Sequence, residues 1–283
     1  MTKIINQELL TGERALFQAK DLEIINSTFA DGESPLKEAS DISLRNSFFK
    51  WKYPMWYGRR FILKNCTLFD TARAGIWYTD GIDMTDCIIE APKTFRRSSN
   101  IRLNGVSIPN ADETLWHCRD VIMNRVHAKG NYFAMNSENM EISDFELLGN
   151  YSFDGARNIV IDNARMLSKD SFWNAENVEV RNSFISGEYI GWNAKNVKFI
   201  NCVIESLQGF CYMDNVILED CTLLNTNLAF EYSTVEAEIN SVIDSIKNPI
   251  SGRIKAEDIR EIIFDDPARS DRSRTEIITG KKE

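Results

Sequence analysis

Apolar and polar residues alternate along most of this chain in short runs, and the runs return at a nearly fixed interval. Each run opens on an apolar-x-apolar pair followed by Asn or Asp and a small residue, as in Val197-Lys198-Phe199-Ile200-Asn201-Cys202. The first apolar position falls at Leu22, Ile42, Phe61, Ile82, Ile101, Val121, Met140, Ile159, Val178, Val197, Val216 and, less cleanly, Val235. The steps between these anchors are 20, 19, 21, 19 and 20 residues, then six of 19. Two residues past each anchor every position is apolar, from Ile24 and Leu44 to Leu218 and Ala237. A period of two marks strands, not the 3.6 spacing of a helix.

Between successive apolar pairs the punctuation is also regular. Asn or Asp recurs four residues after the anchor (Asn26, Asn46, Asn65, Asp86, Asp144, Asn163, Asn182, Asn201, Asp220), and Asn recurs just before it, as at Asn158, Asn177 and Asn196. Asn accepts left-handed backbone and bonds its own turn, so both columns predict tight corners. Short strands, Asn corners and this period predict an all-β, single-stranded parallel β-helix of about twelve coils, each of 19–21 residues. Crossover chirality predicts a right-handed coil. No six- or five-residue subperiod points to a hexapeptide or pentapeptide solenoid. Residues 1–20 are expected to cap the first coil, residues 21–249 to form the coils, and residues 250–283 to form a C-terminal cap with a charged tail. With no linker in view, 1–283 is expected to be a single domain.

These coils, from Leu22 to about Ser241, resemble the single-stranded right-handed β-helices of the pectin-lyase-like superfamily. The Asn-Val-x-apolar-x-Asn-Cys/Ser ladder together with "GRIKAEDIREIIFDDP" is similar, more closely, to an uncharacterised bacterial β-helix family, a domain of unknown function. The superfamily resemblance implies lyases and hydrolases acting on acidic polysaccharides. Polygalacturonase-type hydrolases carry clustered Asp residues, a Gly-His-Gly and an Arg-Ile-Lys. Here Arg253-Ile254-Lys255 matches the last, no Gly-His-Gly exists, and the two histidines, His117 and His127, sit elsewhere in the coil scheme.

Composition narrows the picture only a little. A net charge of −9 argues against general nucleic-acid binding, which wants a basic face. No apolar run approaches the roughly 18 residues of a membrane span, and no secretory h-region opens the chain. The six cysteines form no CxxC pair, so no metal site or other cofactor is expected, and reduced thiols in a cytoplasm are.

The tryptophans change the picture more. Five of the six stand in one column, five residues before an anchor: Trp56, Trp77, Trp116, Trp173 and Trp192. The same column holds Lys37, Arg96 and Asp154, charges that would be costly to bury, which favours an outward ladder. The adjoining column (Leu36, Met55, Ile76, Phe95, Leu115) never carries a charge and is expected to be core. Against this, the column three before the anchor is small (Ala39, Gly58, Ser98, Ala156, Ala175, Ala194), as a tight interior would be. Both orientations stay open at this point.

Charge changes sign around the early part of the ladder. Between residues 50 and 102 ten Lys or Arg stand against five acids, a net of +5 that leaves −14 for the rest. Aromatic faces stack on sugar rings and guanidinium forks hold carboxylates, so this segment reads as a groove for an acidic oligosaccharide. The expected ligand-binding residues are Trp56, Tyr57, Arg59, Trp77, Tyr78, Arg96, Arg97, Trp116 and His117. The competing reading is a solvated basic stripe beside ordinary aromatic packing. A Cys118–His117 nucleophile can be drawn, but Cys118 falls in the small-residue column of a packed thiol. A carbohydrate-recognising solenoid, with a non-enzymatic role slightly favoured, is therefore the leading expectation. The alternatives are an enzyme acting on acidic glycans and a structural or interaction protein, including a homo-oligomer.

Overall fold

The computed structural model describes residues 3–280; the expectations that touch residues 1, 2 and 281–283 lie outside them. The described chain is an all-β parallel solenoid of about 15 turns with almost no helix. It divides into two compact units, residues 1–146 and 147–283.

In the first unit the strands Lys20–Ile25, Ser40–Arg45, Arg59–Lys64, Asp80–Thr85, Ser99–Asn104 and Arg119–Lys129 stack in parallel. Their register is the anchor column itself: Leu22 pairs with Ile42, Ile42 with Phe61, Phe61 with Ile82, Ile82 with Ile101 and Ile101 with Val121. A second ladder of two- and three-residue strands runs beside it, from Leu9–Thr11 to Ser107–Ile108. The 21-residue step between Phe61 and Ile82 absorbs its extra length in a short 3-10 turn, Asp70–Ala72. In the second unit Arg157–Leu167, Glu176–Arg181, Lys195–Ile200, Asp214–Asn227 and Thr234–Ile239 continue the rule, Ile159 to Val178 to Val197 to Val216 to Val235.

The coil count corrects the twelve expected. Lys3–Asn6 is already a rung, with Lys3 opposite Leu22, and Ser251–Ala256 and Thr275–Thr279 add two more. The reason lies in the ends. Lys3, Gly252 and Thr275 occupy the anchor position in place of an apolar residue, and the last steps, Val235 to Gly252 and Gly252 to Thr275, are 17 and 23 residues. A pattern tuned to a period near nineteen misses them.

The interior is the apolar columns stacked on themselves. Ile24, Leu44, Leu63 and Met84 are wholly buried, and Phe29 lies flat on Phe49 with ring centroids 4.6 Å apart. In the second unit Phe153 stacks on Phe172 at 5.4 Å. The corners are the Asn columns, in left-handed backbone as the residue type predicts: φ is 51° at Asn26 and Asn46, 53° at Asn65, and 57° at Asn177. Each amide donates to the Asn one coil earlier, Asn46 to Asn26 at 3.1 Å and Asn65 to Asn46 at 2.9 Å. In the other unit Asn177, Asn196 and Asn215 form the same ladder at 3.0 Å per step.

One feature departs from simple strand reading. The segment between the short strand and the next anchor is a turn in which every second residue is left-handed, as at Lys93, Phe95 and Arg97. Phe95, Leu115, Phe153 and Phe172 have φ between 58° and 61°. For such side chains the left-handed state costs roughly 1–2 kcal/mol each. Stacking offsets that cost, because each turn passes its backbone hydrogen bonds to the next, as Leu115 N–H does to the Thr94 carbonyl at 3.1 Å. The alternation throws the Phe95 column inward and its neighbour outward.

Candidate functional site

That turn carries the predicted site. All nine residues come together on one corner of four successive coils in the first unit. Trp56, Tyr57 and Arg59 share one coil, Trp77 and Tyr78 the next, Arg96 and Arg97 the third, and Trp116 and His117 the fourth. Tyr57 N–H bonds the Trp77 carbonyl at 3.0 Å, Tyr78 N–H that of Arg96 at 2.9 Å, and Arg97 N–H that of Trp116 at 2.9 Å.

The tryptophan column faces outward, half-buried along its length, while Met55, Ile76, Phe95 and Leu115 beside it are wholly buried. The small column three before the anchor is buried as well, because the chain turns between the two. Each indole N–H of the column in this unit is spent on a backbone carbonyl one coil on: Trp56 to Ala74 at 2.6 Å, Trp77 to Lys93 at 2.8 Å, Trp116 to Tyr132 at 2.6 Å. The ring faces meet one another. Trp56 and Trp77 stack at 5.0 Å and 7°, and Tyr57 and Tyr78 at 4.9 Å and 4°. Arg96 takes the next rung, its guanidinium 4.8 Å from Trp77 and 4.5 Å from Trp116, held on its open side by Glu113 at 3.1 Å. What this strip offers a ligand is therefore ring edges and tyrosine hydroxyls, with Tyr57 48% and Tyr78 38% exposed.

The charges that remain available are Arg59, Arg97 and Arg119, all exposed. Arg97 and Arg119 border a groove of about 440 Å³ with Ser99, His117 and Glu138. Burial, then the charges of Arg97 and Arg96, pull the His117 pKa down, so its imidazole is neutral at pH 7. Asp80 is fixed beside the groove by Ser99 Oγ and Asn100 Nδ2, each donating at 2.6 Å, and these bonds hold its carboxyl below the usual range. Arg119 and Glu113 were not among the predicted residues. Both lie past residue 102, where the basic segment read from the sequence stops, although Arg119 shares the column of Arg59 and Asp80.

The Cys118–His117 pair does not make a nucleophile. Cys118 is 1% exposed, its thiol faces the Trp116 carbonyl at 3.6 Å, and burial pushes its pKa up to about 12. Arg253-Ile254-Lys255 is an ordinary alternating strand: Ile254 is buried, while Arg253 pairs with Glu276 at 3.5 Å and Lys255 with Glu238 at 3.5 Å. All six cysteines are free and buried, with Cys66 and Cys87 stacked so that the Cys66 N–H reaches the Cys87 sulfur at 3.4 Å. Among the described residues no group of three His, Cys, Asp or Glu is placed to hold a metal ion, and no helix is long and apolar enough to cross a membrane.

Comparison with known proteins gives the fold and family a context. The chain belongs to the family described as "Protein of unknown function (DUF3737)", whose model matches residues 3–278. No curated protein matches it in sequence. Among solved structures it is similar to the A-module of the Azotobacter vinelandii mannuronan C-5 epimerase AlgE4, at 9% identity and a TM-score of 0.32, over 97% of this chain and 87% of that one. It is also similar to the catalytic domain of a GH87 alpha-1,3-glucanase in complex with nigerose, at 11% identity and a TM-score of 0.26. That match takes in 96% of this chain but only 55% of the glucanase domain. QnrB1, a plasmid-mediated fluoroquinolone resistance protein, matches at 15% identity and a TM-score of 0.20, over 78% of this chain and 92% of that one. Likeness at these scores carries nothing about activity.

Proposed function

We propose that this protein recognises an acidic oligosaccharide along the corner formed by Arg59, Arg97 and Arg119, with Tyr57, Tyr78 and His117 as polar and edge-on contacts. One observation carries the reading. In a chain of net charge −9, the exposed guanidinium groups of Arg97 and Arg119, without an ion-pair partner among the described residues, stand on neighbouring coils at one groove, and Arg59 stands two coils from Arg97 in the column of Arg119. Guanidinium binds carboxylate in a two-pronged fashion. Ring edges carry the positive end of the aromatic quadrupole, so they too favour oxygen-rich anionic groups over the apolar faces of neutral sugars. Trp56, Trp77, Arg96 and Trp116 then serve as the rigid backing of the site.

The test is calorimetric titration of oligogalacturonate against a neutral oligosaccharide of equal length, at low salt, with Arg97→Ala and Arg119→Ala. Hydrogen bonds to charged groups contribute about 1.5–3 kcal/mol, so each variant is expected to weaken binding tenfold or more. Equal affinity for the neutral oligomer, or wild-type affinity in both variants, removes the proposal. A second reading rests on the neutral imidazole of His117 in the groove, which is a competent general base. It requires unsaturated products absorbing in the near ultraviolet, made by the wild type and lost in His117→Ala.

A further inference from the structure

The second unit carries a different arrangement on the same kind of turn. Eight residues before each anchor the column reads Tyr151, Asp170, Tyr189 and Gln208. Backbone bonds put these in register, Tyr151 N–H to the Lys169 carbonyl at 2.9 Å and Asp170 N–H to that of Glu188 at 2.8 Å. Asp170 thus occupies a rung where its neighbours on both sides are tyrosines. Beside it stands Trp173, edge-on to Tyr151 at 6.3 Å and anchored by its N–H to the Tyr189 carbonyl at 3.0 Å. Together these residues line a groove of about 430 Å³.

The short Asp side chain leaves a slot between Tyr151 and Tyr189. Two coils separate the tyrosines, roughly 9.6 Å at the usual strand spacing. The first unit shows what fills such a span. Arg96 lies between Trp77 and Trp116 with its guanidinium 4.8 and 4.5 Å from the two rings, and Glu113 supplies the carboxylate. The second unit repeats the preference at Arg269, 3.6 Å over Tyr232. At Asp170 two tyrosine rings and a carboxylate line one groove, with the Lys169 ammonium 5.7 Å over the Tyr189 ring. Asp170 is 2% exposed, and its carboxylate accepts no side-chain hydrogen bond among the described residues. Burial pushes its pKa up, against the nearby Lys169. Burial disfavours the charged form of this carboxylate, and a cation in the groove offsets that cost.

We propose that the slot formed by Tyr151, Asp170, Trp173 and Tyr189 binds a guanidinium group, sandwiched between the tyrosines and paired with Asp170. Cation–π attraction to two rings plus a two-pronged bond to a desolvated carboxylate gives the site its selectivity for a planar cation. Lys169 is the competing charge. Its ammonium lies 5.7 Å over Tyr189 and is held at the rim by Glu188 at 3.1 Å. An entering guanidinium must keep it there. The two sites therefore predict opposite ligand signs, anionic on the first unit's corner and cationic here, and fail independently.

The experiment is titration of the full chain with argininamide, followed by calorimetry and by saturation-transfer NMR. Citrullinamide, its neutral planar analogue, and lysinamide serve as comparisons. Argininamide is expected to bind at least tenfold more tightly than either. Asp170→Asn, which preserves shape, should weaken it tenfold or more. Lys169→Met, on an exposed side chain, should tighten it severalfold. A capped Gly-Arg-Gly peptide run in parallel separates the sources of the group. Tighter binding than argininamide assigns it to a polypeptide partner, weaker binding to a free small molecule, and either order supports the slot. No binding of argininamide, equal binding of citrullinamide, or weaker binding in Lys169→Met each overturns the proposal.

Discussion

Trp77→Ala tests whether the outward aromatic column is structural backing. Trp77 stacks on Trp56 at 5.0 Å, supports the Arg96 guanidinium at 4.8 Å and donates its indole N–H to the Lys93 carbonyl at 2.8 Å. An aromatic pair, a partly desolvated cation–π contact and a hydrogen bond each contribute about 1 kcal/mol, so their joint loss costs about 3 kcal/mol. Coils of a solenoid contact only their neighbours, so the damage stays local and a global melting point dilutes it. Amide hydrogen exchange over residues 75–98, read by mass spectrometry, resolves it instead. At about 1.4 kcal/mol per decade, these amides should exchange about a hundredfold faster in the variant. Trp77→Phe, which keeps a ring and loses the N–H, should show about a fivefold rise. Exchange within threefold of wild type in Trp77→Ala would refute the reasoning and leave the column as surface decoration.

The Asn ladder makes a second prediction. Asn177 sits at φ 57° and is bonded to Asn158 and Asn196 at 3.0 Å each, so Asn177→Ala should cost about 2 kcal/mol in urea unfolding, and Asn177→Gly about half of that. Asp170 has a raised pKa in the folded state because it is buried, so its favourable contribution exists below the unfolded carboxyl value, about 3.9, and is lost as pH rises through the folded one. Asp170→Asn should therefore raise the thermal midpoint at neutral pH, with the difference closing as pH falls through about 4; a gap that widens in acid contradicts this. Iodoacetamide should label none of the six cysteines in the native protein and all six in denaturant, since each is buried and burial lifts Cys118 and Cys211 to about 12. Mass spectrometry counts the adducts.

Where the residues themselves carry the geometry, the chain could be read directly. Within each unit the anchors, Leu22 to Val121 and Ile159 to Val235, give strand register residue for residue, because a stacked coil repeats its own pairing partners. The ends could not be read this way, since a terminal coil has one neighbour and Lys3 or Thr275 can stand at an anchor. The outward course of Trp56 and Trp77 followed from the cost of burying Lys37, Arg96 and Asp154, although the structure achieves it through alternating left-handed residues and not through a strand. Ring orientation was not legible. That Tyr57 lies flat on Tyr78, and that Arg96 is consumed between two indoles, depends on side-chain torsions that column position leaves open. The slot at Asp170 escaped for a simpler reason: its column carries Tyr, Asp, Tyr and Gln, with no residue type in common to mark it.

The recurrence of Trp-Asn-Ala in the turns before two successive anchors, Val178 and Val197, has a consequence for how the fold can lengthen. Trp173-Asn174-Ala175 and Trp192-Asn193-Ala194 adopt the same conformation, with φ of 54° at Asn174 and 59° at Asn193. Excising residues 175–193 joins Asn174 to Ala194, and the new junction reads Trp-Asn-Ala as both old ones did. An in-frame loss or gain of nineteen residues at this point thus removes or adds a whole coil while keeping the Trp-Asn-Ala turn. Coil number and the side chains displayed on a corner are thus separable properties of this fold.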